Sequence, residues 1–309
     1  MDTRRGTRNL GSTFTRTTLI WVAVVVVVLV VIDIALVTLA LGRTAPNARD
    51  PAGPIPTFSS SPRPSTSPTP SASAEAAGTR RFLSALDDKE AWRATGETCG
   101  GAAPTLEHTV DAGATWVPVA LGPDVSSLMA IRASATDLTI LAGIGADCTT
   151  TVRTSADDGV TWTAGSPGGA GAGVSTAGVV LADGVVEAPC SGPIEAYQGK
   201  STSVVICDGQ LEWRAGTGEW VDVPLSGVRS MADAGMSYTL ARINTETCNG
   251  VQLESMPAVN VTPTTSTTPI GCDVDAATSG PMSLDRVDDA LWLWAGDRVA
   301  VSTDGGATW

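Results

Sequence analysis

The chain has 309 residues, enough for one or two domains, and carries 32 Asp and Glu against 19 Lys and Arg, for a formal net charge of −13. A nucleic-acid partner would need a basic face, and this balance argues against one. A single histidine, His108, and six cysteines without a CxxC pair argue against a zinc or redox site, so no cofactor and no metal are expected.

Residues 1–18 form a basic tail, with Arg4, Arg5, Arg8 and Arg16 against Asp2 alone. Residues 19–41, LIWVAVVVVVLVVIDIALVTLAL, are almost wholly apolar. About 20 apolar residues match the hydrocarbon thickness of a bilayer, and a cleavable signal has a core of only about 7–15. The run therefore predicts a retained transmembrane helix whose partner is the lipid bilayer. The arginines before it place the N-terminus in the cytoplasm and the rest of the chain outside the cell membrane. Asp33 interrupts the run, at a cost of roughly 2.5–3.5 kcal/mol on insertion scales. Two readings stay open for it: a polar contact with a partner helix, or no role at all.

Residues 42–79 hold eight prolines, many Ser and Thr, and almost no large apolar side chains. Such a segment cannot bury enough surface to fold and predicts a disordered, semi-extended linker. Its upper reach is on the order of 100 Å at about 3.1 Å per residue. Beyond the apolar run lie 15 of the Lys and Arg and 30 of the Asp and Glu, the charge of a self-repelling ectodomain. All six cysteines, Cys99, Cys148, Cys190, Cys207, Cys248 and Cys272, also lie there, and an even count in that setting predicts disulfides.

From residue 80 onward one pattern recurs three times: Ser or Thr, any, Asp, any, Gly, any, Thr, Trp. The copies are Thr109, Asp111, Gly113, Thr115, Trp116; Ser155, Asp157, Gly159, Thr161, Trp162; and Ser302, Asp304, Gly306, Thr308, Trp309. The carboxylate can accept N–H groups of its own turn, and the Gly permits positive φ. The Thr favours the next strand, and the Trp is a large plate to pack against a sheet. Short apolar strands separated by turns surround the copies, as in Ser127–Gly145 and Val287–Asp304, which signals an all-β array.

This pattern resembles the Asp-box, or BNR repeat, of β-propellers such as bacterial sialidases, sortilin-type receptors and photosystem assembly factors. The resemblance covers residues 80–309 and implies an extracytoplasmic β-propeller. Trp116 and Trp162 are 46 residues apart, one blade, and Trp162 and Trp309 are 147 apart, about three. About five blades are therefore expected, two of them degenerate, around Ser201–Leu225 and Met236–Val261. Arg80–Leu86 is expected to close the ring by pairing with the last blade. Cys99 and Cys148 stand at similar distances before their repeats and are expected to pair between blades. Cys190 with Cys207 and Cys248 with Cys272 would tie the degenerate blades.

In the families it resembles, the box lies at the outer rim, so its Asp residues read as structural. A sialidase needs an arginine cluster, a Tyr/Glu pair, an acid Asp and an Arg-Ile-Pro motif. Here that motif is missing, the only tyrosines are Tyr197 and Tyr238, and the arginines are scattered. Arg132, Arg229 and Arg286 fall on or beside first strands and are the ones that would converge. No catalytic residue is assigned. His108 reads as an exposed strand residue. Trp292 and Trp294 read as packing between blades, and Asp285, Asp288 and Asp289 as a solvated acidic turn. Asn260–Thr262 fits a glycosylation sequon. The resulting expectation is a non-enzymatic module that binds or scaffolds a cell-surface protein or glycan. The alternatives are a sialidase-type glycoside hydrolase and an assembly factor for a membrane complex.

Overall fold

The computed structural model describes residues 79–309. The basic tail, the 19–41 run with Asp33, and the linker up to residue 78 lie outside the described residues. Among the described residues no helix is long and apolar enough to cross a membrane.

The described chain is a six-bladed β-propeller. Blade 1 is β1 (Arg80–Ala85), β2 (Ala91–Gly96), β3 (Thr105–Thr109) and β4 (Val117–Pro118). Blade 2 is β5 (Val125–Ala133), β6 (Leu138–Ile144), β7 (Thr149–Ser155) and β8 (Thr163–Ala164). Blade 3 has three strands, β9 (Gly173–Ser175), β10 (Gly178–Leu181) and β11 (Gly184–Val186). Blade 4 is β12 (Pro193–Gln198), β13 (Thr202–Cys207), β14 (Gln210–Ala215) and β15 (Val221–Val223). Blade 5 is β16 (Val228–Asp233), β17 (Ser237–Arg242), β18 (Val251–Pro257) and β19 (Thr268–Asp273). Blade 6 has β20 (Met282–Val287), β21 (Ala290–Ala295) and β22 (Arg298–Ser302). Every pairing is an antiparallel meander, and the first strand of each blade lines the centre.

The second strands show why this sequence makes blades. Each blade packs on a neighbour at both faces, so a second strand cannot alternate apolar with polar. β21, ALWLWA, is buried along its whole length, and β13 is buried from Ser203 to Cys207. In β21 the two faces go to different neighbours. Trp292 and Trp294 join Leu83, Ala85 and Ala91 of blade 1, while Leu291 and Leu293 join Val251 and Leu253 of blade 5. Equivalent clusters fill the other boundaries: Leu106 with Leu128 between blades 1 and 2, Leu141 with Val180 between 2 and 3, Val179 with Val205 between 3 and 4, and Ile206 with Leu240 between 4 and 5.

Two expectations are corrected. The blades number six rather than five, because blade 3 occupies only Gly173–Val186 and carries neither Trp nor the repeated turn. Four compact blades, not three, thus follow Trp162. Arg80–Ala85 does not pair with the last blade. It is the innermost strand of blade 1, in register with Ala91–Gly96. Side chains join blade 6 to blade 1 instead: Trp292 donates its indole N–H to the Asp87 carbonyl (2.8 Å), and Trp116 meets Trp292 edge-on at 6.4 Å.

The cysteines form three bonds, Cys99–Cys148, Cys190–Cys207 and Cys248–Cys272. The first joins the β2–β3 loop of blade 1 to the β6–β7 turn of blade 2. Cys190–Cys207 ties the segment between β11 and β12 to the end of β13, and Cys248–Cys272 lies within blade 5.

Candidate functional site

The three repeated turns are the strongest sequence signal, and their hydrogen bonds are nearly identical. In blade 1 the Thr109 hydroxyl donates to Asp111 Oδ1 (2.8 Å) and accepts from the Gly113 N–H (3.1 Å). Asp111 Oδ1 also takes the Thr115 N–H (2.8 Å), and the other carboxylate oxygen, Oδ2, takes the Thr115 hydroxyl (2.6 Å). Ser155, Asp157, Gly159 and Thr161 repeat this in blade 2, and Ser302, Asp304, Gly306 and Thr308 in blade 6. Gly113, Gly159 and Gly306 have φ of 80°, 89° and 94°, where a side chain is strained. The bonds from the Thr hydroxyls, then the backbone N–H groups, hold Asp111 and Asp157 below the usual carboxylate range and bring Asp304 to about 2.

Each Trp of these turns reaches the preceding blade. Trp116 packs at the blade 6–1 boundary, Trp309 at 5–6, and Trp162 at 1–2, where its indole donates to the Ala120 carbonyl (2.9 Å). All three polar side chains are committed to the turn, so these residues hold the fold and offer no group for chemistry.

The centre of the ring is different. A cavity of about 370 Å³ is walled by the inner strands of all six blades. Its wall carries Glu195 and Tyr197 from β12, Asp233 from β16, Asp285 and Arg286 from β20, Arg132 from β5, and Arg80 and Arg81 from β1. Sequence reading placed Asp285 in a solvated turn. It lies instead on an inner strand facing the cavity, and only Asp288 and Asp289 are turn residues, Asp288 with φ 53°. Of the three arginines that would converge, Arg132 and Arg286 line the cavity and Arg229 does not.

Several polar side chains here stitch blade to blade by accepting an N–H from a neighbouring inner strand. Asp285 takes the Ala85 N–H (2.7 Å), and Ser84 takes that of Ala133 (2.8 Å). Glu195 takes the Met231 N–H (3.2 Å), and Ser230 takes that of Leu284 (2.9 Å). Burial raises Glu195 to about 7, and the Asp285 charge adds to the rise against the Ser230 hydroxyl and the Met231 N–H. Burial likewise raises Asp285 to about 6, opposed by N–H groups of Ala85 and Arg286 and by the Arg132 charge. Tyr197 donates its hydroxyl to Asp233, and burial, followed by that bond, pushes its pKa up.

Three arginines on this wall, Arg80, Arg132 and Arg286, make no ion pair with a carboxylate among the described residues. Arg80 donates to the Val174 carbonyl across the ring. Arg286 donates to the Asp288 carbonyl (2.8 Å) and the Thr239 hydroxyl (3.1 Å). The Arg132 side chain is exposed on the cavity wall and makes no hydrogen bond or ion pair with the described residues, only a longer-range attraction to Asp285 and the Tyr197 site. The ion pairs among the described residues fall elsewhere, on Arg93, His108, Arg153, Arg242 and Arg298.

His108, expected to be exposed, is half-buried, stacked on Trp92 at 4.0 Å and hydrogen-bonded to Glu90 at 3.0 Å. That pair belongs to the blade wall, away from the cavity. Glu195 and Asp233 were missed by sequence reading. Their signal is a polar residue within an otherwise apolar first strand, as in SMAD and MSLD, and in Glu195 and Tyr197 sharing one strand face at i, i+2.

No protein-family model and no curated protein matches the chain. Solved structures of similar fold include the GH74 enzyme of Niastella koreensis, at 14% identity over 75% of this chain and 46% of that one, with a TM-score of 0.41. YCF48 bound to D1 peptide is similar at 16% identity over 73% and 63%, with a TM-score of 0.29. The sialidase of Trypanosoma rangeli in complex with the inhibitor DANA is similar at 12% identity over 70% and 52%, with a TM-score of 0.35. The chain thus spans about half to just under two thirds of these proteins. The likeness is one of fold and carries no conclusion about ligand or activity.

Proposed function

We propose that the chain is a membrane-anchored binding module. Residues 19–41 span the cell membrane, residues 42–79 act as a stalk, and the propeller stands outside with its central cavity as the ligand site. The single observation that carries this reading is the division of labour on the cavity wall. Glu195 and Asp285 are spent on bonds between blades, while Arg132 stands exposed with no bonded partner. Stitched acids keep the wall rigid, and an unpaired guanidinium is free for an incoming group. The experiment is co-purification of the full-length protein from gently solubilised native membranes, with mass spectrometry of whatever accompanies it. A ligand or partner lost in Arg132→Trp, which crowds the cavity, supports the cavity as the site. Association unchanged by that variant overturns it. Loss of a membrane partner in Asp33→Leu would assign the intramembrane carboxylate to helix pairing, and unchanged association would leave it without that role.

One observation favours a second reading, a glycoside hydrolase. Tyr197 donates to Asp233 in the same cavity that holds Glu195 and Asp285, whose pKa values of about 7 and 6 leave protonated acid near neutral pH. A hydroxyl beside a base and an acid nearby are the parts of covalent glycosyl transfer. Turnover of fluorogenic glycosides, abolished by Tyr197→Phe and Asp233→Asn, would establish it. No turnover across sialosides, xylosides and arabinosides would remove it.

A further inference from the structure

We infer that the Cys99–Cys148 bridge is a thiol–disulfide exchange site. A dithiol reduces it while the other two bridges stay closed, and the loop it fastens is freed beside the central cavity. The exchange stands by itself; its consequence for ligand entry rests on the cavity being the binding site proposed above. The three bridges differ in access. Cys207 and Cys248 are buried, at 6% and 5% exposure, and their partners Cys190 and Cys272 are half-buried. Cys99 is exposed and Cys148 half-buried, so only this bridge has an exposed cysteine for a thiolate to reach.

The bridge also joins parts that can separate without opening the ring. On the blade 1 side it holds residues 98–103, all of them exposed. That loop keeps its shape through its own hydrogen bonds, from the Gly101 N–H to the Thr98 carbonyl (3.0 Å) and from the Ala102 N–H to the Glu97 carboxylate (2.9 Å). Its polar contact with blade 2, among the described residues, is the Cys99 sulfur, 3.6 Å from the Ala146 carbonyl. The boundary of blades 1 and 2 is carried elsewhere, by Trp92, Leu106, Leu128 and Ile140. On the blade 2 side Cys148 has φ 46°, a left-handed conformation that strains a residue lacking the short polar side chain of Asn or Asp. Exposed and strained bridges are the labile ones.

The chain has no CxxC pair, so it is the substrate of the exchange and not the reductant. One thiolate of a vicinal dithiol attacks Cys99 Sγ, and the S–S electron pair leaves on Cys148 Sγ, which takes a proton. The second thiolate attacks the mixed disulfide, and Cys99 leaves and is protonated. The bridge gains two electrons and two protons, and the dithiol becomes a disulfide. The freed loop faces a recess of about 250 Å³, lined by the bridge with Glu97 and Asp147, that shares Arg80, Met129 and Val174 with the central cavity. Reduction therefore widens access to the cavity from this side.

The test is a timed reduction of the full-length protein in detergent with dithiothreitol, quenched by alkylation and read by mass spectrometry. Cys99 and Cys148 are expected to take label together, at least about tenfold faster than the other cysteines. Hydrogen exchange should then rise in residues 97–104 and 145–148 and stay unchanged in β2 and β6. Cys99→Ser with Cys148→Ser should show that pattern without reductant. Earlier labelling of Cys190 or Cys248, or one rate for all the cysteines, overturns the inference. Lost protection of β2 or β6 in the double variant also overturns it, because the bridge would then be a tie of the whole boundary. Capture of a native partner is expected to rise on selective reduction. Capture unchanged by reduction but lost in Arg132→Trp overturns the link to the cavity and spares the exchange. Capture indifferent to both overturns the cavity as the binding site, again sparing the exchange.

Discussion

Blades 1, 2 and 6 close their third strands with the same carboxylate-stapled turn, a disulfide ties blade 4 to the segment that enters it and another lies within blade 5, and the strands of blade 3 carry neither. The stapled turns are local and hold the backbone of a few residues at the rim. Each of these disulfides instead closes a longer stretch, across sequence separations of 17 and 24. Blade 3 is held mostly by its neighbours, through buried side chains no larger than Leu and Met, with Trp220 of blade 4 packed against the edge of one cluster. What the difference teaches is that turn motif and boundary packing are separate devices. A blade with no staple still stands if both faces are covered, and each stapled turn is tied into the ring by a Trp that reaches the preceding blade.

The largest effect should come from breaking a boundary. Trp292 is fully buried between blades 6 and 1 and also satisfies the Asp87 carbonyl. Trp292→Ala is expected to cost about 3–5 kcal/mol in chemical denaturation. Val180→Ala, at the boundary of blades 2 and 3, should cost about 2 kcal/mol, near 0.8 kcal/mol per methylene. Equal costs would mean that blade 3 bears as much of the ring as the Trp seam does, and the contrast would fall. Next is the bridge of blade 5. Replacing Cys248 and Cys272 by Ala should cost about 3 kcal/mol, the scale for loops of this length. A loss no larger than that of Asp157→Asn in blade 2 would make bridge and staple equivalent.

Acid should separate the rim carboxylates from the central ones. Asp111, Asp157 and Asp304 have lowered folded-state pKa values, Asp304 near 2. Their contribution is present above the unfolded value of about 3.9 and is lost as pH falls toward 2. Glu195 and Asp285 are raised to about 7 and 6. Their contribution has the opposite sign: complete below the unfolded values of about 4, and lost as pH rises through 6 and 7. Thermal melts across pH should therefore show a maximum at about pH 4–5. Glu195→Gln should flatten the descent toward neutral pH, and Asp304→Asn the descent toward acid. A melting temperature still rising between pH 5 and 8 would contradict the assignment of the central pair.

How much of this was legible depended on whether a residue acts alone or in company. Asp111, Gly113 and Thr115 work on their own turn, so their pattern carries its structure wherever it occurs. The cysteine pairs followed from treating Cys99 and Cys148 as equivalent points on successive blades. Blade 3 was hidden because short Gly- and Val-containing strands give neither a Trp nor a staple to count, and a spacing learned from two large blades was carried over a small one. The cavity was hidden for a different reason. Nothing near Asp285 in the sequence says that Ala85 will donate to it, because that contact exists only once blade 6 meets blade 1. Arg132 and Arg286 stood on first strands and could be foreseen as converging, but which strand faces carry the acids emerged only with the ring closed.

The smallest effect tests the three turns against one another. The residue before each turn glycine also has positive φ: Ala112 at 58°, Asp158 at 55° and Gly305 at 73°. Only blade 6 has a glycine there. An L residue in this conformation costs roughly 1–2 kcal/mol, and Asp is tolerated better than Ala because its short side chain bonds locally. Glycine removes that strain but returns roughly 0.5–1 kcal/mol through the freedom it gives the unfolded chain. Ala112 is exposed, and its N–H donation to the Lys89 carbonyl (2.9 Å) needs no side chain. Ala112→Gly should therefore stabilise the protein by about 0.5–1 kcal/mol, with Asp158→Gly closer to neutral. A destabilising Ala112→Gly would show that blade 1's turn is not strained in the way its dihedral implies. Equal gains at both positions would show that the Asp158 side chain contributes nothing to holding its own turn.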